Sequence, residues 1–176
     1  MKYRYTAALL LSTLFALPAY AACQSDAVDY DFPAQRLDEA LQQLAHRSGC
    51  FINTDLTRIA DEQAPALSGT YRPEEALWEL LKGTGWEGYP TDEGLEVSER
   101  EQAWVKARTQ ALREAVEKRD TLSEDERKAY LEELASLEQS VTELAREQGF
   151  ISAGEHASYE RSLNELAESL ETDDQA

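Results

Sequence analysis

Two cysteines and two histidines are the side chains of this 176-residue chain best suited to chemistry. His46 and His156 are far apart, and neither has a Cys or a second His at metal-ligand spacing. Both are therefore expected on a surface or in helix packing. Lys82-Gly83-Thr84-Gly85 has phosphate-loop residues but not the glycine spacing or the Lys that follows it in a P-loop. A helix stop accounts for it. No Gly-x-Ser-x-Gly elbow is present. Acidic pairs such as Glu132-Glu133 and Asp173-Asp174 read as a solvated helix face and a tail. The expectation is a chain with no catalytic residue, cofactor or metal ligand and no small-molecule substrate, and so not an enzyme.

The cysteines gain meaning from the N-terminus. Lys2 and Arg4 precede an apolar run over residues 8–17, then Pro18 and the small-x-small pattern Ala19-Tyr20-Ala21. This is a signal-peptide pattern over residues 1–21, and the run is too short for a spanning helix. Cleavage after Ala21 leaves 155 of the 176 residues. It takes the formal net charge from −18 to −20, because the leader holds two cations and no acid. So acidic a chain lacks the basic footprint that nucleic acid or anionic lipid requires. In an exported chain Cys23 and Cys50, 27 positions apart, predict a disulfide. Such a bridge contributes about 3–4 kcal/mol in the chain-entropy model. The alternative is a lipoprotein. Tyr20-Ala21-Ala22-Cys23 is similar to a bacterial lipoprotein signal, with Tyr20 where Leu is usual, and lipidation would leave Cys50 unpaired.

The elements around these residues follow from periodicity. Residues 28–32 alternate as a half-buried strand, ended by Pro33. Leu37, Ala40, Leu41, Leu44 and Ala45 form one helical face, stopped at Ser48-Gly49. Residues 50–53 read as a short strand, residues 55–65 as a polar loop, and residues 66–70 as a strand. Pro73 suits a first helical turn, with Glu74 and Glu75 at the positive end of the helix dipole. Ala76, Leu77, Leu80 and Leu81 make the apolar face, and Gly83 and Gly85 end it. Residues 86–89 form a strand cut by Pro90, and residues 95–97 the last strand of a hairpin. The order is βαβ, then βαββ, a rough internal repeat.

Leu37-x-x-Ala40-Leu41-x-x-Leu44-Ala45-x-x-Ser48-Gly49 is the first half of a longer pattern. Leu67-Ser68-Gly69-Thr70-Tyr71-x-Pro73-Glu74-Glu75-Ala76-Leu77-x-x-Leu80-Leu81-x-Gly83-Thr84-Gly85 is the second. Over residues 27–98 the chain resembles the short N-terminal domain of secretins and TonB-dependent transducers, the STN or signalling domain. Trp86 stands where that family usually has Leu. The resemblance implies an α+β fold with two helices held between small sheets, and a core of Leu37, Leu41, Leu44, Leu77, Leu80, Leu81 and Trp86. It also implies a periplasmic protein-docking role with no catalytic residues. In transducers the domain signals to an inner-membrane anti-sigma regulator; in secretins it contacts other parts of the machine. The 78 residues after Ser98 neither suffice for a membrane barrel nor alternate, so a free-standing copy with a different tail is expected.

The tail is helical. Ser98-x-x-Glu101, Ser123-x-x-Glu126 and Ser152-x-x-Glu155 are three capping-box patterns. The first helix, residues 99–119, shows Trp104, Ala107, Ala111, Leu112, Ala115 and Val116. The second, residues 124–148, repeats Tyr130, Leu134, Leu137, Val141 and Leu144 as a coiled-coil-like seam. The third carries Tyr159, Leu163, Leu166 and Leu170, and residues 171–176 fray. Short connections predict antiparallel packing within the chain, with self-association as the alternative.

The expectation is thus a signal peptide (1–21), an STN-like α+β domain (22–98) and an α-helical hairpin or three-helix tail (99–176). The protein is expected in the periplasm, with association with the outer membrane as a further option. Its partner is expected to be an inner-membrane regulator or a secretin or TonB-system component. One docking mode is an exposed sheet edge that receives a partner strand. The alternative role is that of a structural accessory in assembling a secretin or other outer-membrane complex.

Overall fold

The computed structural model describes Cys23 and residues 25–172. The signal-peptide pattern and residues 173–176 lie outside the described residues. Helix α1 (Leu37–Ser48) buries Leu37, Ala40, Leu41 and Leu44 on one side and ends at Gly49, whose φ of 70° turns its N–H onto the Ala45 carbonyl. Helix α3 (Pro73–Leu81) starts at its proline, with the Arg72 N–H donated to the Glu75 carboxylate at 3.0 Å. Its face Ala76, Leu77, Leu80 and Leu81 meets α1 in a single core. Each buried leucine there contributes about 1.5–3 kcal/mol.

Three small sheets surround the helix pair. Strands β1 (Val28–Phe32) and β5 (Leu67–Tyr71) form an antiparallel ribbon that registers Tyr30 on Gly69. β2 (Gln35–Arg36) and β4 (Gln63–Ala64) pair briefly. β3 (Ile52–Asn53) runs parallel to β7 (Gly94–Ser98), which pairs antiparallel with β6 (Glu87–Thr91), in the order β3-β7-β6. The architecture is α+β, as the pattern implied, with two corrections. Residues 55–65 are not a loop: Asp55 accepts the Thr57 N–H and opens the short helix α2 (Leu56–Ile59), which plants fully buried Ile59 in the core, and β4 follows. Pro90 does not cut the hairpin; it pairs with Leu95 inside β6, an edge strand, where a missing N–H donor is tolerated.

The C-terminal part is a three-helix bundle of α4 (Arg100–Glu117), α5 (Glu124–Gln148) and α6 (Ala153–Thr172). Val105 packs near Val141, and Val116 near Tyr130 and Leu131, so α4 and α5 are antiparallel. α6 returns along α5, with Tyr159 bonded to Ser140 and Tyr130 to Ser169. α6 keeps its expected face, Tyr159, Leu163, Leu166 and Leu170. α4 does not. Ala107 and Ala111 are exposed, Val105 and Thr109 are buried in their place, and Val116 is buried as expected, because α4 faces both α5 and α6 and needs a wider apolar arc than one stripe. The Ser123 and Ser152 capping boxes form. The Ser98 box does not: Ser98 Oγ is buried without a partner, Glu101 turns to His156, and α4 begins with no side-chain bond from its own cap.

Candidate interaction surfaces

What caps α4 is Glu87, the first residue of β6. Its side chain is fully buried. One carboxylate oxygen accepts the Glu101 N–H at 3.0 Å and the other the Gln102 N–H at 2.9 Å. These are amides of the first turn, which have no partner within the helix and lie at its positive end. The Tyr89 hydroxyl donates to the same carboxylate at 2.9 Å and accepts the Ile151 N–H at 3.2 Å. Burial, and then the Glu87 charge, push the Tyr89 phenol well above its ordinary pKa, which keeps it a donor. Gln102 Nε2 reaches the Gly85 carbonyl at 2.8 Å, and the Arg100 guanidinium lies 3.7 Å from the centre of the Tyr89 ring.

A second seam joins α3 and β6 to the α5–α6 turn. Gly83 N–H donates to the Arg146 carbonyl, and Gly88 N–H to the Gly149 carbonyl, both at 2.7 Å. Trp78 stacks on Phe150 with ring centres 4.4 Å apart and donates its indole N–H to the Gly88 carbonyl at 2.9 Å. Gly149 has φ 78°, and a Cβ there would lie 2.5 Å from the Trp78 carbonyl oxygen. The bundle is therefore docked on the α3–β6 side of the α+β domain and closes that edge of the sheet.

The opposite side is open. Phe51 and Leu56 are 60% and 47% exposed, the large apolar side chains left out among the described residues. They border a groove of about 240 Å³ between α1 and β3, floored by Leu41, Ala45, Cys50 and Ile52. Cys23 and Cys50 are joined in a disulfide that ties residue 23 to the start of β3 beside this groove. Cys50 is thus not an unpaired thiol, as the lipoprotein alternative would have it.

The seven core positions, Leu37, Leu41, Leu44, Leu77, Leu80, Leu81 and Trp86, all lie buried in one cluster. Trp86 carries the Arg58 guanidinium 5.0 Å above its ring. His46 is exposed on α1, while His156 bonds to Glu101 and lies tilted against the Trp104 ring between α6 and α4. Lys82-Gly83-Thr84-Gly85 is the turn out of α3. Among the described residues no group of three or more His, Cys, Asp or Glu side chains is placed to hold a metal ion. Nor is any helix there long and apolar enough to cross a membrane. Sequence reasoning missed Glu87, because an acid beside a tryptophan in a strand looks solvent-facing. It also missed the groove, although two large apolar residues flanking a polar stretch were a signal.

No family model matches the chain. Over 75 residues it is 29% identical to the ferripyoverdine receptor of Pseudomonas aeruginosa (strain PAO1), a match covering 43% of this chain and 9% of the receptor. The matched part is the receptor's N-terminal region. Two solved structures are similar, each with a TM-score of 0.39, 26% identity, and coverage of 41% of this chain and 10% of the other. One is the ferripyoverdine receptor of the outer membrane bound to ferripyoverdine, the other P. aeruginosa FpvA bound to heterologous pyoverdines. This chain spans about a tenth of the length of the relative it matches.

Proposed function

We propose that this protein is a periplasmic protein-docking module of the signalling-domain type, binding an inner-membrane regulator or another component of a TonB system. The observation that carries the reading is the likeness of this chain to the N-terminal region of a receptor, at 29% identity over 75 residues. The double pattern through α1 and α3 supports it, and so does the buried Leu-rich core those helices share. The α3–β6 side is occupied by the chain's own bundle. A partner therefore has the α1–β3 side and the β1–β5 ribbon available. Binding rather than catalysis is the role, and the bundle acts as a rigid backing for the docking domain.

The test is in-cell photo-crosslinking of the full chain, with a crosslinking amino acid placed in turn at Phe51, at Ser68 on β5 and at Ser158 on α6. Adducts to an inner-membrane regulator or TonB-system protein from position 51 or 68, and none from 158, are expected. Adducts only from 158, or only to secretin-type assembly components, would move the reading to an accessory of assembly. No protein adduct from any position would refute docking altogether.

A further inference from the structure

Ser98-x-x-Glu101 is a complete capping-box pattern that the folded chain leaves unused. Ser98 Oγ is buried with no hydrogen-bond partner. Ser98 closes β7 opposite Glu87 in the ladder, so its backbone is already extended, as an N-cap residue requires. A single residue separates it from α4. That residue, Glu99, has φ −121° and ψ 33°, outside the helical basin at about −63° and −42°. Turning those two torsions into the basin makes Glu99 the first residue of the helix. The Glu101 N–H then falls to Ser98 Oγ, and the Gln102 N–H, four positions on, to the Ser98 carbonyl. Both amides that Glu87 now holds therefore have a local acceptor in waiting. Beyond α4, the Glu99 side chain pairs with Arg58 in an exposed ion pair of small net worth.

The choice of cap matters because Glu87 clamps the two parts of the chain together. Among the described residues no apolar cluster crosses the seam. The cluster of the α+β domain ends at Val97, and those of the bundle begin at Trp104. The seam is stitched instead by the Glu87 carboxylate, the Tyr89 hydroxyl, the Gly83 and Gly88 amides, the Gln102 side chain and the Trp78–Phe150 stack. An interface of that make-up opens more readily than a shared core. On opening, each part keeps its own apolar clusters. The bundle also keeps the Glu101–His156 bond, since α4 and α6 move together. What becomes uncovered is the Trp78 face of α3 and the outer side of β6.

We propose that Ser98 is a second, latent N-cap for α4, and that passing the Glu101 amide from Glu87 to Ser98 releases the three-helix bundle intact from the α3–β6 face. Glu99 is the hinge, and the two caps define its closed and open positions. The closed position is the one in the structure. The device stands whether or not the chain docks a partner protein.

Amide hydrogen exchange reads both positions, followed by NMR on the isotopically labelled full chain with Cys23 and Cys50 bridged. The Gly83 and Gly88 amides, bonded to bundle carbonyls, report release, and those of Val141 and Leu163 report the bundle interior. Ser98 caps only the open form. Ser98→Ala should therefore slow exchange at Gly83 and Gly88 about fivefold, the worth of one cap, and Ser98→Thr, which keeps a capping hydroxyl, should leave it fast. Phe150→Ala loosens the seam and touches neither cap. It should speed exchange at Gly83 and Gly88 about tenfold and leave Val141 and Leu163 protected. In Glu87→Ala the open form dominates, and adding Ser98→Ala should speed exchange at residue 101 about fivefold and at residue 102, whose acceptor is then a carbonyl, by less. The Ser98 and Phe150 variants decide the matter even if Glu87→Ala does not fold. Unchanged or faster exchange at Gly83 and Gly88 in Ser98→Ala would overturn the inference. So would joint loss of protection at Val141, Leu163, Gly83 and Gly88 in Phe150→Ala, which would mean that the bundle melts instead of swinging away. Equal exchange at residue 101 in Glu87→Ala with and without Ser98 would overturn it as well.

Discussion

Glu87 offers the sharpest test of how the two parts of the chain are joined. Replacing it with alanine strands three donors, the amides of residues 101 and 102 and the Tyr89 hydroxyl. The site is fully buried, so water does not reach them without opening the seam. Each stranded buried donor costs about 1–3 kcal/mol, and losing a carboxylate from a helix N-terminus adds about 0.3–1 kcal/mol. Tyr89 can rotate to relieve one of the three. The expected loss for Glu87→Ala is about 3–5 kcal/mol, a large share of the 5–15 kcal/mol of an ordinary domain. Glu87→Gln keeps the shape and one acceptor but turns an NH₂ toward a donor, and should cost about 2–3 kcal/mol. Tyr89→Phe, which leaves the helix cap in place, should cost about 1 kcal/mol. The assay is urea unfolding of the mature chain, read by tryptophan fluorescence, with hydrogen exchange at residues 101 and 102. Exchange there should accelerate in both Glu87 variants and stay slow in Tyr89→Phe. A Glu87→Ala change below about 0.5 kcal/mol, the level of an ordinary surface substitution, with those amides still protected, would refute the reasoning.

Three further outcomes are expected. Gly149→Ala combines a left-handed φ of 78° with a Cβ 2.5 Å from the Trp78 carbonyl, whereas Gly83→Ala, at φ 84°, meets nothing within 4 Å. Urea midpoints should show the first costing about 2–3 kcal/mol and the second about 1 kcal/mol. Ser123→Ala and Ser152→Ala should each cost about 1 kcal/mol by thermal or urea unfolding, and Ser98→Ala close to nothing, because only the first two serines cap a helix. Burial works against ionisation of Glu138, but its hydrogen bonds from Arg113 and Thr109 outweigh it and hold its carboxyl below the usual glutamate range. A depressed folded-state pKa contributes stability that is present above the unfolded value of about 4.3 and is lost as pH falls through the folded value. Glu138→Gln should therefore be least stable relative to wild type near neutrality and draw level once the pH has fallen through the folded value, as stability curves at several pH values would show.

Local rules carried much of the fold. The 3,1,3,1 spacing of Leu37, Ala40, Leu41, Leu44 and Ala45 and the Pro73-Glu74-Glu75 start place α1 and α3 from residues within a turn of one another. The serine–glutamate pairs at 123–126 and 152–155 fix two bundle helices in the same way. Where the sequence misled, a distant partner had replaced a local one. Residues 55–65 look like a polar loop until Ile59 is seen in the core and β4 against β2. Ala107 and Ala111 read as a helix face until α4 is found serving two neighbours, which selects Val105 and Thr109.

By itself, the sequence determined the helical faces of α1, α3 and α6, the main strands beside α1 and α3, and the acidic charge of the chain. These depend on periodicity, capping and charge, which neighbouring residues set. Only the tertiary structure decided that the bundle docks on α3 and β6. The amides opening α4 take their acceptor from Glu87, fourteen and fifteen positions earlier, in place of Ser98 beside them. It also decided which sheet edge stays open, because β6 is closed by a carbonyl from the α5–α6 turn, while nothing among the described residues pairs with β3 on its outer side. Whether a donor finds a nearby or a remote acceptor depends on packing in space, and no local pattern records it.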